Sequence, residues 1–386
     1  MVPGNHAATR PRVLALTPEE ERIGAVTLYR ITGPLSYLMD RGYPVAWMDW
    51  NQARQRAIAN PGSIGQYDVV ITARTADWQG LTVAFFARLR AMGKVVVYET
   101  DDDYTNEYRK VINGDAIAVA KQATIMTTST PELRAQMLKH TGPKPTYVLR
   151  NCIDFALWDS TPTRRIVPGT TIGLVGTKTH EADWRQVSDA LHRIGEERDD
   201  VNFVLGGYRP DYLADLPRLY YSEPVIYTEY PNLCAQIDIG LCPLVADDPF
   251  NISKSAIKAL EYWAAGAAVV ASGGPVYSRV MDSDRGFLAK TDSDWYTAIT
   301  TLLDDPARRK AMAGAGRTWT WRNRNMAYNC EFWWDVYDAA FKEYGGKIDV
   351  RTFNELKLGY RPPKRKGDHR SNVPQVPLAK GKRRRR

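Results

Sequence analysis

The stretch ADDPFNISKSAIKALEYWAAGAAVVAS, residues 246–272, holds the densest set of chemically able groups in the 386-residue chain. Lys254 and Lys258 stand one helical turn apart, and Glu261 follows three residues later. The spacing predicts a helix over Ser253–Ala265, stopped by Gly266, with Asn251 or Ser253 as its N-cap. Free amides and the positive dipole end make such a helix start a place for phosphate. Lys254 in the first turn, Lys258, Ser255 and the capping residues would then surround a bound diphosphate, and Glu261 could take two ribose hydroxyls. The same spacing also fits a plain solvated face carrying a Lys258–Glu261 pair, and a short motif does not separate the two.

Other groups follow strands. Gly176-Thr177-Lys178-Thr179-His180 succeeds the strand Thr171–Val175, where Gly176 and Thr177 can approach a ligand. His180 can donate to a phosphate or a sugar hydroxyl, or be a loop histidine without a role. Gly24 lies after the first strand, permitting close backbone approach or merely a turn. Asp101-Asp102-Asp103 ends another strand, an Asp-x-Asp pattern suited to a divalent ion on a diphosphate or, more plainly, to a solvated acidic turn. Arg30 reads as structural or solvated. The aromatic series Trp319, Trp321, Phe332, Trp333, Trp334, Tyr337 and Phe341 has helical spacing and reads as core.

These loops need a frame. Strands over Val13–Thr17, Val45–Trp50, Tyr67–Thr72, Lys94–Thr100, Ile125–Thr128 and Thr146–Leu149 alternate with helices over Val26–Asp40, Leu81–Met92, Ala116–Lys121 and Pro131–Leu138. Such alternation implies a parallel sheet covered on both faces. Residues 159–170 read as a linker, after which the pattern restarts: strands at Thr171–Val175, Val201–Leu205, Ile237–Cys242 and Ala267–Ser272, with helices at Asp183–Glu196, Ser253–Ala265 and Trp295–Leu303. A long aromatic helix near Asn323–Tyr344 closes the fold. The expected layout is a domain over 1–158, the linker, a second domain over 171–346 and a tail over 347–386.

Composition narrows the class. Hydrophobic residues at 44 % and charged residues at 25 % are ordinary for a globular protein. The longest apolar run, Tyr262–Ala271, is half of a membrane span. The opening MVPGNHAATRPR lacks the apolar core of a secretory signal, which implies a cytoplasmic protein. Cys152, Cys234, Cys242 and Cys330 lie far apart, as expected for buried reduced thiols rather than a zinc or disulfide framework. The net charge of +8 is unevenly placed: residues 361–386 carry eleven Lys or Arg against one acid, leaving the body at −2. A nearly neutral body argues against a nucleic-acid groove as the main surface. The tail, too poor in apolar residues to fold, reads as a disordered arm for a polyanion.

FNISKSAIKALEYWAAGAAVVAS resembles the donor-binding helix and strand of retaining nucleotide-sugar glycosyltransferases of the GT-B superfamily. IGLVGTKTHEADW, KQATIMTTSTPELRAQM, YVLRNCIDFALW and LLDDPARRKAMAGAGR resemble, in order, other parts of that family across residues 10–345. The resemblance implies an α/β protein with two Rossmann-like doubly wound domains facing each other across a cleft. It implies acceptor binding on the first and UDP- or GDP-sugar binding on the second, retention of configuration, and no metal or bound cofactor. Lys254, Glu261, Asp101 and His180 are then the catalytic candidates. Donor contacts are expected from Gly176, Thr177, Asn251, Ser253, Lys254, Ser255, Lys258, Glu261 and Gly24.

Three positions depart from the family pattern: Ser253 replaces its first glutamate, Thr177 an arginine and Asp183 a lysine, with Lys254 the natural replacement cation. The acceptor is open, with hydroxylated-base DNA recruited through residues 361–386 the most concrete candidate. The rivals are a single-domain, metal-dependent GT-A enzyme using Asp101 and Asp103, and a nucleic-acid-binding protein with an inert transferase fold.

Overall fold

A computed structural model describes residues 10–17, 24–59, 62–73, 81–105 and 116–346. The tail expected to be disordered lies outside them, as do residues 18–23 leading to Gly24. Twelve strands form two sheets. The first contains β1 (Val13–Thr17), β2 (Val45–Asp49), β3 (Val69–Ala73), β4 (Val95–Thr100), β5 (Ile125–Thr128) and β6 (Thr146–Val148), in the order β2-β1-β3-β4-β5-β6. The second contains β7 (Thr170–Val175), β8 (Val201–Gly206), β9 (Leu219–Ser222), β10 (Ile239–Cys242), β11 (Ala268–Ser272) and β12 (Gly286–Ala289), in the order β12-β11-β10-β7-β8-β9. Every pairing is parallel. Strands β9 and β12 had no clear sequence signal.

Burial on both faces explains the unbroken apolar runs. In β1, Leu14 and Leu16 enter one core layer while Val13 and Ala15 enter the opposite one. In each sheet the strand order reverses beside the first strand, between β1 and β3 and between β7 and β10. Ligand crevices in open parallel sheets form outside the strand ends at such points.

The expected aromatic helix is three pieces. Helix Pro306–Arg324 ends on the second unit, a turn over Met326–Asn329 follows, and helix Glu331–Tyr344 packs on the first sheet. Ile153 and Asn325 bridge in parallel where the two crossings meet. The expected helix over Val26–Asp40 also has a break, a π turn at Leu28–Thr32 before Gly33-Pro34. Pro34 has no N–H for the carbonyl of Arg30. That carbonyl accepts from Trp333 Nε1 instead, at 3.1 Å.

Candidate functional site

The β7–β10 crevice is built from two loops. The first follows β7. Gly176 donates its N–H to the Gly206 carbonyl at 2.9 Å, and an added Cβ would meet His180 at 3.0 Å and Trp184 at 3.1 Å. A side chain at this close turn would press on His180 and Trp184. Thr177 and Thr179 share a hydroxyl hydrogen bond of 2.8 Å. The expected helix at 183–196 opens as a short turn over Lys178–His180 and breaks again between Arg185 and Ser188.

The second loop corrects the expected helix start. Asp248 caps a short helix over Pro249–Ile252, and the longer helix begins only at Ile257. Lys254 and Ser255 therefore lie in the connector, three and two residues before the helix. Neither Asn251 nor Ser253 caps it; Ala256 holds that position, with no side-chain cap. The first-turn amides of helix Ile257–Ala265 thus lack a side-chain acceptor. Gly266 ends the helix in the left-handed region at φ 87°.

Asp183 joins these two loops. Its Oδ1 accepts from Val245 N–H and from Asn251 Nδ2, each at 2.8 Å. Its Oδ2 faces His180 Nδ1 at 2.9 Å and Lys254 Nζ at 3.8 Å. Burial opposes the charge on Asp183, but His180 and Lys254 prevail and hold it below the usual aspartate value. His180 moves down because burial, joined by Lys254 and Lys258, outweighs the Asp183 hydrogen bond. At neutral pH the ring is neutral, and the carboxylate favours the Nδ1–H tautomer. Lys254 also lies 5.0 Å from the centre of the Phe250 ring.

Lys258 and Glu261 form a second cluster, with an ion pair of their own. Their ion pair of 2.9 Å is buried rather than solvated, with Glu261 only 3 % exposed. Glu261 Oε2 also accepts from Tyr230 at 2.9 Å, and Oε1 accepts from Tyr29 of the first unit at 2.8 Å. Burial, then the Glu261 charge, drives the Tyr29 phenol well above its ordinary pKa. Burial opposes the Lys258 charge, yet Glu261 raises its pKa. Three of about four carboxylate lone pairs are thus in use.

The first unit meets the connector before Ile257 directly. Thr130 Oγ1 donates to the Ser253 carbonyl at 2.8 Å. Asn151 Nδ2 donates to Ser255 Oγ at 2.8 Å and to Asp101 Oδ1 at 3.0 Å. Ser253 Oγ is buried without a hydrogen-bond partner. Behind Asn151, Arg30 is 1 % exposed and pairs with Glu99 at 2.7 Å, so it is a buried structural residue rather than a solvated one. Asp103 is not solvated either: it is buried and accepts from Thr105 N–H at 2.9 Å and from the Thr105 hydroxyl. Gly24 is exposed, with open space around it. Asp183, Asn151, Tyr29 and Tyr230 carry no spacing signal, because the contacts that bring them here, to Asn251, Asp101, Glu261 and Glu261, span 68, 50, 232 and 31 residues.

Two six-stranded parallel sheets, each with its own switch point, are the layout of a GT-B fold, which removes the single-domain GT-A reading. Residues 185–334 match the family model described as Glycosyl transferase-like. The 2-deoxystreptamine glucosyltransferase of Streptomyces kanamyceticus is 28 % identical over 163 residues, 39 % of this chain and 41 % of that protein. The match therefore spans less than half of that relative. Among solved structures, HepE of Anabaena in complex with UDP and glucose superposes with a TM-score of 0.63 at 15 % identity, covering 85 % of this chain and 100 % of its own. Sucrose-phosphate synthase of Thermosynechococcus elongatus gives 0.61 at 13 %, covering 86 % and 100 %. An alpha-glucosyltransferase in complex with UDP-glucose and DNA containing an abasic site gives 0.63 at 11 %, covering 85 % and 99 %. The fold is thus of the GT-B type, and residues 185–334 are similar to the glycosyltransferase-like family. Among the described residues, no helix is long and apolar enough to cross a membrane.

Proposed function

We propose that the protein transfers a sugar from a UDP-sugar to an acceptor held on the first unit. The observation that carries this reading is the convergence of Lys254, the Gly176 turn and an uncapped helix start at the β7–β10 switch point. The diphosphate lies against Lys254 and the amides near Ile257, and its nucleoside reaches Glu261 once Tyr29 withdraws. In the reaction the bond from the anomeric carbon to the diphosphate oxygen breaks, and the electron pair leaves with UDP. The acceptor oxygen bonds the same carbon on the same face, and its proton passes to the departing phosphate. Lys254 and the helix amides stabilise the charge growing on the diphosphate. Asn151 and Thr130, by gripping the Ser253–Ser255 connector, couple closure of the two units to the placing of Lys254.

Charge neutralisation by protein groups makes turnover independent of a divalent ion. Activity that EDTA abolishes and manganese restores would contradict this scheme. For the acceptor, we propose DNA carrying hydroxylated bases, recruited by the basic residues 361–386. The neighbour solved with UDP-glucose and DNA supports it, as does the +10 charge of that segment. The experiment is sugar transfer to hydroxymethylated DNA by the full chain and by a chain lacking 361–386, across a salt series. Truncation should raise the apparent KM at low salt and matter less at high salt, as counterion release weakens. UDP-sugar hydrolysis without any transfer to DNA would reject the acceptor and leave the donor reading intact. Neither hydrolysis nor UDP binding would favour the inert, nucleic-acid-binding alternative.

A further inference from the structure

The aromatic residues late in the chain divide into two sets. Trp333, Trp334 and Tyr337 are sealed against the first sheet, whereas Trp321, Tyr328 and Phe332 are 43, 56 and 59 % exposed. The exposed three mark the corner where helix Pro306–Arg324 ends, the turn Met326–Asn329 runs and helix Glu331–Tyr344 begins. Trp321 and Tyr328 meet edge to face, with ring centres 5.3 Å apart. Burying these rings in the free protein would gain hydrophobic energy. Their exposure at one corner marks a surface for a partner.

A cavity of about 400 Å³ opens beside them, between edge strand β6 and the last helix, with Arg150, Arg324, Asn329, Phe332, Trp333 and Asp335 in its walls. Arg150 is exposed. Among the described residues, neither arginine forms an ion pair. Arg324 donates to the Asn323 carbonyl at 2.8 Å and lies 5.3 Å from the Trp319 ring centre. Burial lowers the Arg324 pKa, and the like charge of Arg150 adds to that. Asp335 lines the cavity without pairing to either guanidinium, so the walls carry a net single positive charge. Two guanidiniums in one cavity repel, and an anion between them turns repulsion into charge-assisted hydrogen bonds. Arg150 is followed directly by Asn151, whose amide grips Ser255 in the cleft. The corner therefore adjoins the proposed donor site.

We propose that this corner binds a single-stranded nucleic-acid segment, with Arg150 and Arg324 taking backbone phosphates and Trp321, Tyr328 and Phe332 stacking unpaired bases. Guanidiniums beside exposed rings match such a strand: the charges follow its backbone, and each base offers a face for stacking. A neutral glycan would use the rings and leave the arginines without a partner. The proposal rests on the acceptor reading only in placing the strand beside the cleft, since binding itself requires no donor.

The test is fluorescence anisotropy with a labelled oligothymidine across a salt series and without nucleotide sugar, on the full chain and on one lacking 361–386. Arg150→Gln/Arg324→Gln should weaken binding about tenfold and reduce the salt slope by about 1.4, the value for two phosphates of a single strand. Phe332→Ala and Trp321→Ala should each weaken it about tenfold with the slope unchanged, through lost stacking. Lys139→Gln, at an exposed position away from the corner, should bind as the parent does. Tail deletion should scale all of these alike. Because Phe332 is exposed, its alanine variant retains the fold, and Arg324→Lys keeps the charge if the glutamine variant melts early. Equal binding by the arginine or ring variants and their parent in the tail-deleted chain would overturn the proposal. So would displacement of the oligonucleotide by heparin in equal measure from parent and arginine variant. UDP binding measured on the same preparations distinguishes failure here from failure of the glycosyltransferase reading.

Discussion

Each of the two units holds a charged cluster, and the clusters are built to different tightness. On the first unit, Arg30 and Glu99 pair at 2.7 Å with 1 % exposure on each side. Asn151 Oδ1, the Leu149 carbonyl and the Thr127 hydroxyl complete that set. On the second, Lys254 stands 3.8 Å from Asp183 and keeps 13 % exposure. A sealed pair has no room for a ligand, and removing one partner leaves a buried charge. A looser pair at a loop junction can exchange its carboxylate partner for a diphosphate. Similar side chains thus serve a structural purpose on one side and, in the function proposed above, a binding purpose on the other.

The strongest way to break this contrast is Arg30→Met, which should cost about 3–5 kcal/mol in urea unfolding by stranding Glu99. Adding Glu99→Leu should recover much of the loss. A single variant that unfolds like the parent would deny the first cluster its structural role.

Asp183→Asn should weaken UDP binding about tenfold, because Lys254 and His180 both lose their anchor. It should also cost about 1–3 kcal/mol, since an amide cannot satisfy every donor that now faces the carboxylate. A variant that loses stability but binds UDP normally would make Asp183 a loop staple and nothing more.

Tyr29→Phe should lower stability by about 1 kcal/mol and tighten UDP binding severalfold, because the phenol no longer competes for Glu261. Weaker binding in that variant would mean that Tyr29 helps hold the nucleotide.

The smallest effect is a pH dependence. The pKa of His180 in the fold is below that of the unfolded chain. Its neutral form therefore adds stability that is present above about pH 6.5 and is lost as pH falls below that value. The parent should lose more Tm than His180→Asn on acidification through that window. A difference of opposite sign would mean that the charged ring is the favoured form.

Much of this contrast was written locally in the chain. Apolar runs such as VLALT and VVVYET predicted buried parallel strands, and Gly266 marked a helix stop. Where the structure departs from the sequence expectation, a second local signal competes or the cause is distant. Asp248-Pro249 is a helix-start signal, and it explains why a short helix precedes Lys254 and the main helix begins later. The aromatic series kept helical spacing across the break after Arg324, but the break resets the phase, so Trp321 and Phe332 turn to solvent. Asp183 looked only like a missing lysine, because Val245 and Asn251 meet it through tertiary folding. The Tyr29–Glu261 contact spans 232 residues and two units, beyond the reach of any spacing rule.

The proposed donor site is tested most directly by titration calorimetry of UDP into the parent and into Lys254→Ala. Loss of one charge-assisted contact worth about 1.5–3 kcal/mol should weaken binding by about ten- to a hundredfold. The Tm without ligand should change little, because Lys254 is partly exposed and its ion pair is loose. A parent that binds UDP and a variant that binds it with the same Kd would contradict the assignment of the diphosphate to Lys254 and the connector before Ile257.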